Sequence, residues 1–277
     1  MKGWSLNSTL HSVPACQAIV KKASAKRLGS AYGCETLPET GSRYQIQFAI
    51  VKDVATLYLD TSGEGLYKRG YRARNMGAPL KETLAAALVT LSRYRGKDPF
   101  CDPFCGSGTI PIEAALIAKN RAPGLDRSFS AQRWKNMDAK LWMDAADEAM
   151  DKEFHGTYDI WGGDIDPAAV ELAKHNAALA GVEDCIRFEV ADAGQFHRDS
   201  EYGQLVTNPP YGERLLEKKE AEALYRVFGA AMAKMPPKWR ILVLSSHTEF
   251  ERCFGRPAGK RRKLYNGMLK CDVFMYP

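Results

Sequence analysis

No Cys-x-x-Cys pair occurs in this chain, and its seven cysteines are scattered and odd in number. That pattern argues against a disulfide framework and against a zinc site, and it places the protein in a reducing cytosol. No metal is expected. No apolar run approaches the ~20 residues that span a bilayer, so no membrane partner is expected either. Met1-Lys2-Gly3-Trp4-Ser5 lacks the apolar core of a secretory signal. The Gly-rich stretch after the first strand of the larger part is followed by no Gly-Lys-Ser/Thr, which excludes a phosphate-binding P-loop. Its glycine spacing is also wrong for a dinucleotide-dependent oxidoreductase. Internal repeats and low-complexity tracts are absent.

What is present is ordinary in amount and uneven in placement. The 277 residues are 45% apolar and 26% charged, enough for one large or two modest domains. The net charge is +6. Residues 1–77 hold eleven Lys and Arg against five Asp and Glu, whereas residues 78–277 hold 28 of each. The whole excess therefore lies in the first quarter, and such asymmetry points to an anionic partner, nucleic acid being the commonest. A solvated basic face has the same composition.

The periodicities predict two parts. Residues 13–29 read as an amphipathic helix with Pro14 in its first turn and Gly29 at its end. Tyr44–Val51 and Val54–Leu59 read as a hairpin turning at Lys52-Asp53. These make a small α+β unit over residues 1–60. Residues 61–77 read as a linker, rich in Gly and Arg. From 78 to 277, helices and strands alternate, which predicts an α/β fold with a mostly parallel sheet covered on both faces. Strands are expected at 98–102, 158–162, 186–190, 203–207 and 240–244. Helices are expected at 82–95, 109–119, 131–153, 167–180 and 221–235. Asn266-Gly267, flanked by 263–265 and 270–275, predicts a closing antiparallel hairpin.

Four motifs then fall on one edge of that sheet, each after a strand. After the first comes Asp102-Pro103-Phe104-Cys105-Gly106-Ser107-Gly108-Thr109, whose glycines permit close backbone approach to a ligand at a helix start. The second ends in Asp164-Ile165-Asp166. An acid in that place bonds ribose hydroxyls. Asp166 also suits the N-cap of the helix beginning at Pro167, so Asp164 is favoured for the ribose. The third ends in Asp192-Ala193, where the carboxylate serves either an adenine amino group or the loop itself. The fourth ends in Asn208-Pro209-Pro210-Tyr211. Two prolines make that turn stiff, and it offers an amide oxygen, unpaired carbonyls and an aromatic ring to a flat group bearing an NH₂.

Residues 78–277 resemble the S-adenosylmethionine-dependent methyltransferases of the Rossmann-like class that act on exocyclic amino groups. The resemblance rests on the motifs above together with three further segments. These are Leu66–Arg72 with Ala78–Ala85, Asn208–Arg214, and Lys263–Gly267. They look like the bacterial 23S ribosomal RNA guanine-N2 methyltransferases, whose relatives are often labelled DNA adenine methylases. Residues 1–60 resemble only the later part of that family's THUMP RNA-binding domain, so the chain looks like a shortened member.

The resemblance implies a seven-stranded sheet and S-adenosylmethionine as cofactor. It implies that residues 102–109, Asp164, Ile165, Asp166, Asp192 and Ala193 surround the cofactor, with Pro79 and Leu80 beside its methionine moiety. It implies that Asn208, Pro209, Pro210 and Tyr211 are catalytic and that ribosomal RNA is the partner. Alternatives are DNA adenine, tRNA guanine or a protein glutamine amide as substrate, or an inactive RNA-binding relative. His247 and His175 are expected to be surface or helix residues. The basic runs Lys68-Arg69, Arg72–Arg74 and Lys260–Lys263 are expected to offer phosphate contacts.

Overall fold

The computed structural model describes residues 1–37, 40–72, 80–211 and 218–277. Two compact units are present. One comprises Met1–Leu66 with Ser128–Ala145, the other Tyr67–Arg127 with Ala146–Pro277.

In the first unit, strand β1 (Lys2–Leu6) pairs parallel with β2 (Gln45–Val51), which pairs antiparallel with β3 (Val54–Asp60). The β2–β3 turn is made by Lys52 and Asp53, both at positive φ (50° and 62°). That conformation matches the twist of the flanking strands. Helix α1 (Val13–Tyr32) continues past Gly29 and is closed by Gly33. It packs on the sheet through Val13, Cys16 and Val20, against Phe48 and Ile50. The β1 strand went unpredicted, because five residues with a single apolar alternation carry little periodic signal.

The segment expected as one helix at 131–153 is instead a 3₁₀ turn (Ser130–Arg133) followed by helix α4 (Ala139–Asp151). Its first part belongs to the smaller unit. The Trp134 indole donates to the Arg43 carbonyl at 3.2 Å and stacks on Tyr44, and the Ala131 amide donates to the Thr61 carbonyl. The division therefore differs from a break at residues 61–77 in taking up the later segment Ser128–Ala145.

The second unit holds a seven-stranded sheet. Its strands are β4 (Phe100–Asp102), β5 (Ile160–Asp164), β6 (Ile186–Val190), β7 (Tyr202–Thr207), β8 (Lys238–Ser245), β9 (Lys260–Asn266) and β10 (Leu269–Tyr276). Their order is β6-β5-β4-β7-β8-β10-β9, parallel except where β10 runs against both of its neighbours. Alternate residues feed opposite faces. Phe100 and Val206 enter the core under helices α2 (Glu82–Ser92), α3 (Thr109–Ala118) and α5 (Pro167–Leu179). Cys101 and Leu205 enter the core under α6 (Lys218–Met232) and α7 (Phe250–Phe254). Each fully buried Leu or Phe contributes about 1.5–3 kcal/mol. The strand order reverses between β4 and β7, which opens a crevice beyond their carboxyl ends.

Lys260–Lys263 forms the start of edge strand β9. The expectations for Arg69, Arg72 and His247 are corrected. Arg69 and Arg72 are largely buried and paired with Glu113 and Glu82, at 3.3 and 3.0 Å, so they are structural. Tyr71 adds a bond to Glu113, and Arg72 reaches the Leu80 carbonyl and the Thr109 hydroxyl. His247 is buried against Tyr225, its Nδ1 accepting from the Glu249 amide, whereas His175 is exposed on α5. Arg74 lies outside the described residues. No described helix is long and apolar enough to cross a membrane.

Candidate active site

Four loops at the carboxyl edge of the sheet enclose a cavity of about 800 Å³, within the usual range for a small-molecule site. Asp102 closes the short strand β4 and is 1% exposed. Its Oδ1 accepts from the Thr207 hydroxyl at 2.6 Å and from the Phe104 amide at 3.1 Å. Burial pushes its carboxyl up to about 7, with Asp164 adding to the rise and those two bonds opposing it.

The Gly loop turns into α3 with Gly106 and Gly108 at φ of 52° and 81°. An added Cβ on Gly106 meets nothing within 4 Å, so its glycine serves conformation at an open wall. On Gly108 it would lie 2.9 Å from the Ala173 Cβ, so that glycine serves helix–sheet packing, and Gly108 does not line the cavity. The Cys105 amide donates to the Gly163 carbonyl, stitching the loop to β5. The Cys105 thiol is raised by burial and then by Asp102 and Asp164, which keeps it protonated and unreactive.

Asp164 is the last residue of β5. Its Oδ2 accepts from the Gly106 amide at 2.9 Å and its Oδ1 from the Asp166 amide at 3.0 Å. It thus joins two of the four loops while facing the cavity. Asp166 is the N-cap of α5, accepting from the Ala168 amide at 2.9 Å. Asp192 holds its own turn through the Gly194 amide at 2.8 Å and also lines the cavity. Ile165 projects at the rim, 73% exposed and apolar.

The Asn208–Tyr211 turn is braced from three directions. Thr207, just before it, is tied to Asp102. The Tyr225 hydroxyl, from α6, donates to the Pro210 carbonyl at 2.9 Å; burial pushes its phenol up to about 12, so it stays a donor. Asn266, from the end of β9, donates to the Tyr211 hydroxyl at 3.1 Å. Within this frame the Asn208 Oδ1 is buried and has no hydrogen-bond partner among the described residues. A buried amide oxygen left this way costs about 1–3 kcal/mol, which marks it as awaiting a donor.

The structure therefore gathers Leu80, residues 102–107, Thr109, Asp164–Asp166, Asp192, Ala193 and Asn208–Tyr211 around one cavity, and leaves Gly108 beneath it. Pro79 lies outside the described residues. Ile110, Ala169, Ala191, Glu220 and Leu224 complete the wall without having been predicted. Glu220 and Leu224 sit four apart on α6, a spacing that shares one face, but nothing in that spacing says which face meets a ligand. The wall carries acids at 102, 164, 166, 192 and 220 and no lysine or arginine among the described residues. Such a donor set suits a cationic ligand with hydroxyl and amino groups and disfavours a phosphate. S-adenosylmethionine, with its ribose, adenine and positive sulfonium, fits it.

The sheet order, the acid-lined cavity and the open Gly loop define an S-adenosylmethionine-dependent methyltransferase. Residues 69–274 match the UPF0020 family, described as an RMKL-like methyltransferase domain, and the chain belongs to that family. It is 46% identical over 277 residues to the Bacillus subtilis (strain 168) protein named "Putative RNA methyltransferase YpsC", covering 99% of this chain and 72% of that protein. It is 41% identical over 229 residues to the ribosomal RNA large subunit methyltransferase K/L of Shewanella baltica (strain OS195). That match covers 80% of this chain and 32% of the relative, so the chain spans about a third of it. Among solved structures, the methyltransferase SMU.472 in complex with SAH (S-adenosylhomocysteine) is 40% identical, with a TM-score of 0.90 over 100% of this chain and 73% of that one.

Proposed function

We propose that this enzyme methylates an exocyclic amino group of a nucleic-acid base, guanine N2 of 23S ribosomal RNA being the best-supported target. The observation that carries the reading is Asn208, which lines the cavity and whose buried Oδ1 has no hydrogen-bond partner among the described residues. A planar NH₂ is the donor it lacks. The basic first quarter of the chain and the relative named as a ribosomal RNA methyltransferase support RNA as the molecule bearing that group. Residues 1–60 are assigned as part of an RNA-binding unit, and the cytosol as the compartment.

Leu80 and the 102–109 loop would hold the methionine end of the cofactor, Asp164 its ribose and Asp192 its adenine amino group. Ile165, at the cavity rim, would lie against the cofactor. When bound, the cofactor supplies an electrophilic methyl on a sulfonium. The base nitrogen is a poor nucleophile because its lone pair is delocalised into the ring. The Asn208 Oδ1 accepts one of its N–H bonds and the Pro209 carbonyl the other, which directs the lone pair at the methyl. Both of these hydrogen bonds would strengthen as positive charge grows on the nitrogen during methyl transfer. The nitrogen then loses a proton that has become acidic, so no strong base is required of the protein. Tyr211 stacks on the base face, contributing about 1–3 kcal/mol. The target base must be extruded or already unpaired to enter.

The test is incubation with labelled S-adenosylmethionine and, separately, undermodified 23S rRNA, tRNA and DNA, followed by nucleoside analysis. N2-methylguanosine in rRNA alone is the expected product, and N6-methyladenine in DNA would overturn the assignment. Asn208→Ala is expected to abolish transfer while S-adenosylhomocysteine binding, read by calorimetry, persists.

A further inference from the structure

The cavity accounts for one base but for no phosphate, since its wall carries acids and no lysine or arginine among the described residues. In the second unit, cations without partners among the described residues cluster on the closing hairpin. Five of its residues are basic: Lys260, Arg261, Arg262, Lys263 and Lys270. Residues 78–277 balance to zero with these five included, so the rest of that stretch is net acidic and the hairpin is a local basic excess. Arg261 is spent structurally, paired with Glu251 and lying 5.2 Å over the Phe274 ring.

The other cations are organised by the strand. Alternation puts Lys263 and Tyr265 on one face of β9, and the register sets Lys270 directly opposite Tyr265. Tyr265 is 61% exposed, and neither it, Lys263 nor Lys270 makes a hydrogen bond or ion pair among the described residues. Asp272, opposite Lys263, is the acid nearest in register and makes no ion pair with it. The next residue, Asn266, points to the other face and holds Tyr211. β9 runs parallel to the central strands, because β10 is antiparallel to both β8 and β9, so Tyr265 lies at the same edge as the cavity.

Lysines on an edge strand also deter edge-to-edge aggregation. That role needs no exposed aromatic ring between two of them. An exposed ring flanked by cations is the arrangement that binds single-stranded nucleic acid, the ring stacking a base and the cations meeting its phosphates.

We propose that Tyr265 stacks a nucleotide neighbouring the target, with Lys263 and Lys270 on its flanking phosphates, so that the hairpin holds the RNA strand whose target base enters the cavity. The inference rests on the reading of the site as one for a nucleic-acid base. It adds the surface that holds the strand, in place of the arginines 69 and 72, which are internal.

The experiment uses the full chain and a fluorescein-labelled single-stranded RNA oligonucleotide of mixed sequence, titrated at several salt concentrations. Tyr265→Ala is expected to weaken binding about ten- to a hundred-fold, and Tyr265→Phe to retain it. Lys263→Ala with Lys270→Ala is expected to reduce the salt slope by about 1.4, the share of two single-strand phosphates. S-adenosylhomocysteine affinity, measured in parallel, should stay unchanged in all three. Wild-type affinity and slope in both Tyr265→Ala and the lysine pair would overturn the proposal, as would wild-type protein that binds no RNA. If Tyr265→Ala misfolds, Tyr265→Phe and the lysine pair still decide. Wild-type protein that binds RNA through these residues yet methylates none would instead overturn the proposed function and leave the surface standing.

Discussion

The Thr207 hydroxyl donates to the Asp102 carboxylate at 2.6 Å, across the two strands between which the sheet order reverses. One bond thus ties the residue before the Asn208 turn to the residue that opens the Gly loop. Two predictions follow from the burial of this pair.

Asp102 is held near 7 in the fold, while an aspartate in the unfolded chain titrates near about 3.9. Between those values the native protein keeps a proton that the unfolded chain releases, so stability falls as pH rises across that interval. The contribution is full below about pH 4 and is lost by about pH 7. Urea denaturation at stepped pH should show this decline in the wild type and a flatter profile in Asp102→Asn. Thr207→Val removes a bond that lowers the pKa, so the decline should extend to higher pH, with a cost of about 1–3 kcal/mol. Matching profiles for wild type and Asp102→Asn would refute the assignment.

Asp164 and Asp166 should separate by measurement. Asp166→Ala removes the N-cap of α5 and is expected to cost about 1 kcal/mol in stability, with cofactor affinity nearly unchanged. Asp164→Ala should weaken S-adenosylhomocysteine binding by about tenfold or more, because it faces the cavity and anchors the Gly106 amide. Calorimetry with both variants decides, and the reverse ranking would move the ribose contact to Asp166.

Asn266 and Tyr211 lie 55 residues apart and share one hydrogen bond. Asn266→Ala and Tyr211→Phe should each lower kcat/KM on RNA about five- to tenfold, the worth of one net hydrogen bond. The double variant should lose no more than either alone. Additive losses would show that the two act separately.

The Arg72–Glu82 pair is largely buried. Glu82→Gln leaves a buried guanidinium without its counter-charge, which is expected to cost about 3–5 kcal/mol and to lower the melting temperature markedly. Replacing both with apolar residues should recover most of the loss, read by thermal denaturation.

Gly108→Ala should destabilise more than Gly106→Ala. Both would place a side chain at positive φ, at about 1–2 kcal/mol, but only at Gly108 does the new methyl meet Ala173. Denaturant midpoints would show the order.

Much of the fold was legible because local chemistry and sheet periodicity agree. The strands of the parallel sheet read as apolar runs since both of their faces are covered. Gly106, Asp164, Asp192 and Asn208 each sit at or just past a strand's end, and in a parallel sheet every such end falls on one edge. Less was legible where the determinant is a partner far along the chain. Nothing in Lys260–Lys263 distinguishes a basic loop from an edge strand until β10 pairs with it. Arg69 and Arg72 read as exposed cations because their partners, Glu113 and Glu82, sit on helices that look independent of them. His247 looked superficial for the same reason.

The sequence by itself determined the class of this protein, because the order of a Gly loop, two acid-bearing turns and an Asn-Pro-Pro-Tyr turn after successive strands is a one-dimensional property. Only the tertiary structure decided what each group does with its hydrogen bonds. It made Asp166 a cap and Asp164 a clasp, and it left the Asn208 oxygen without a partner among the described residues while bracing the turn around it. It also brought Asn266 to Tyr211. Those outcomes depend on distances between residues tens of positions apart, and such distances leave no periodic trace along the chain.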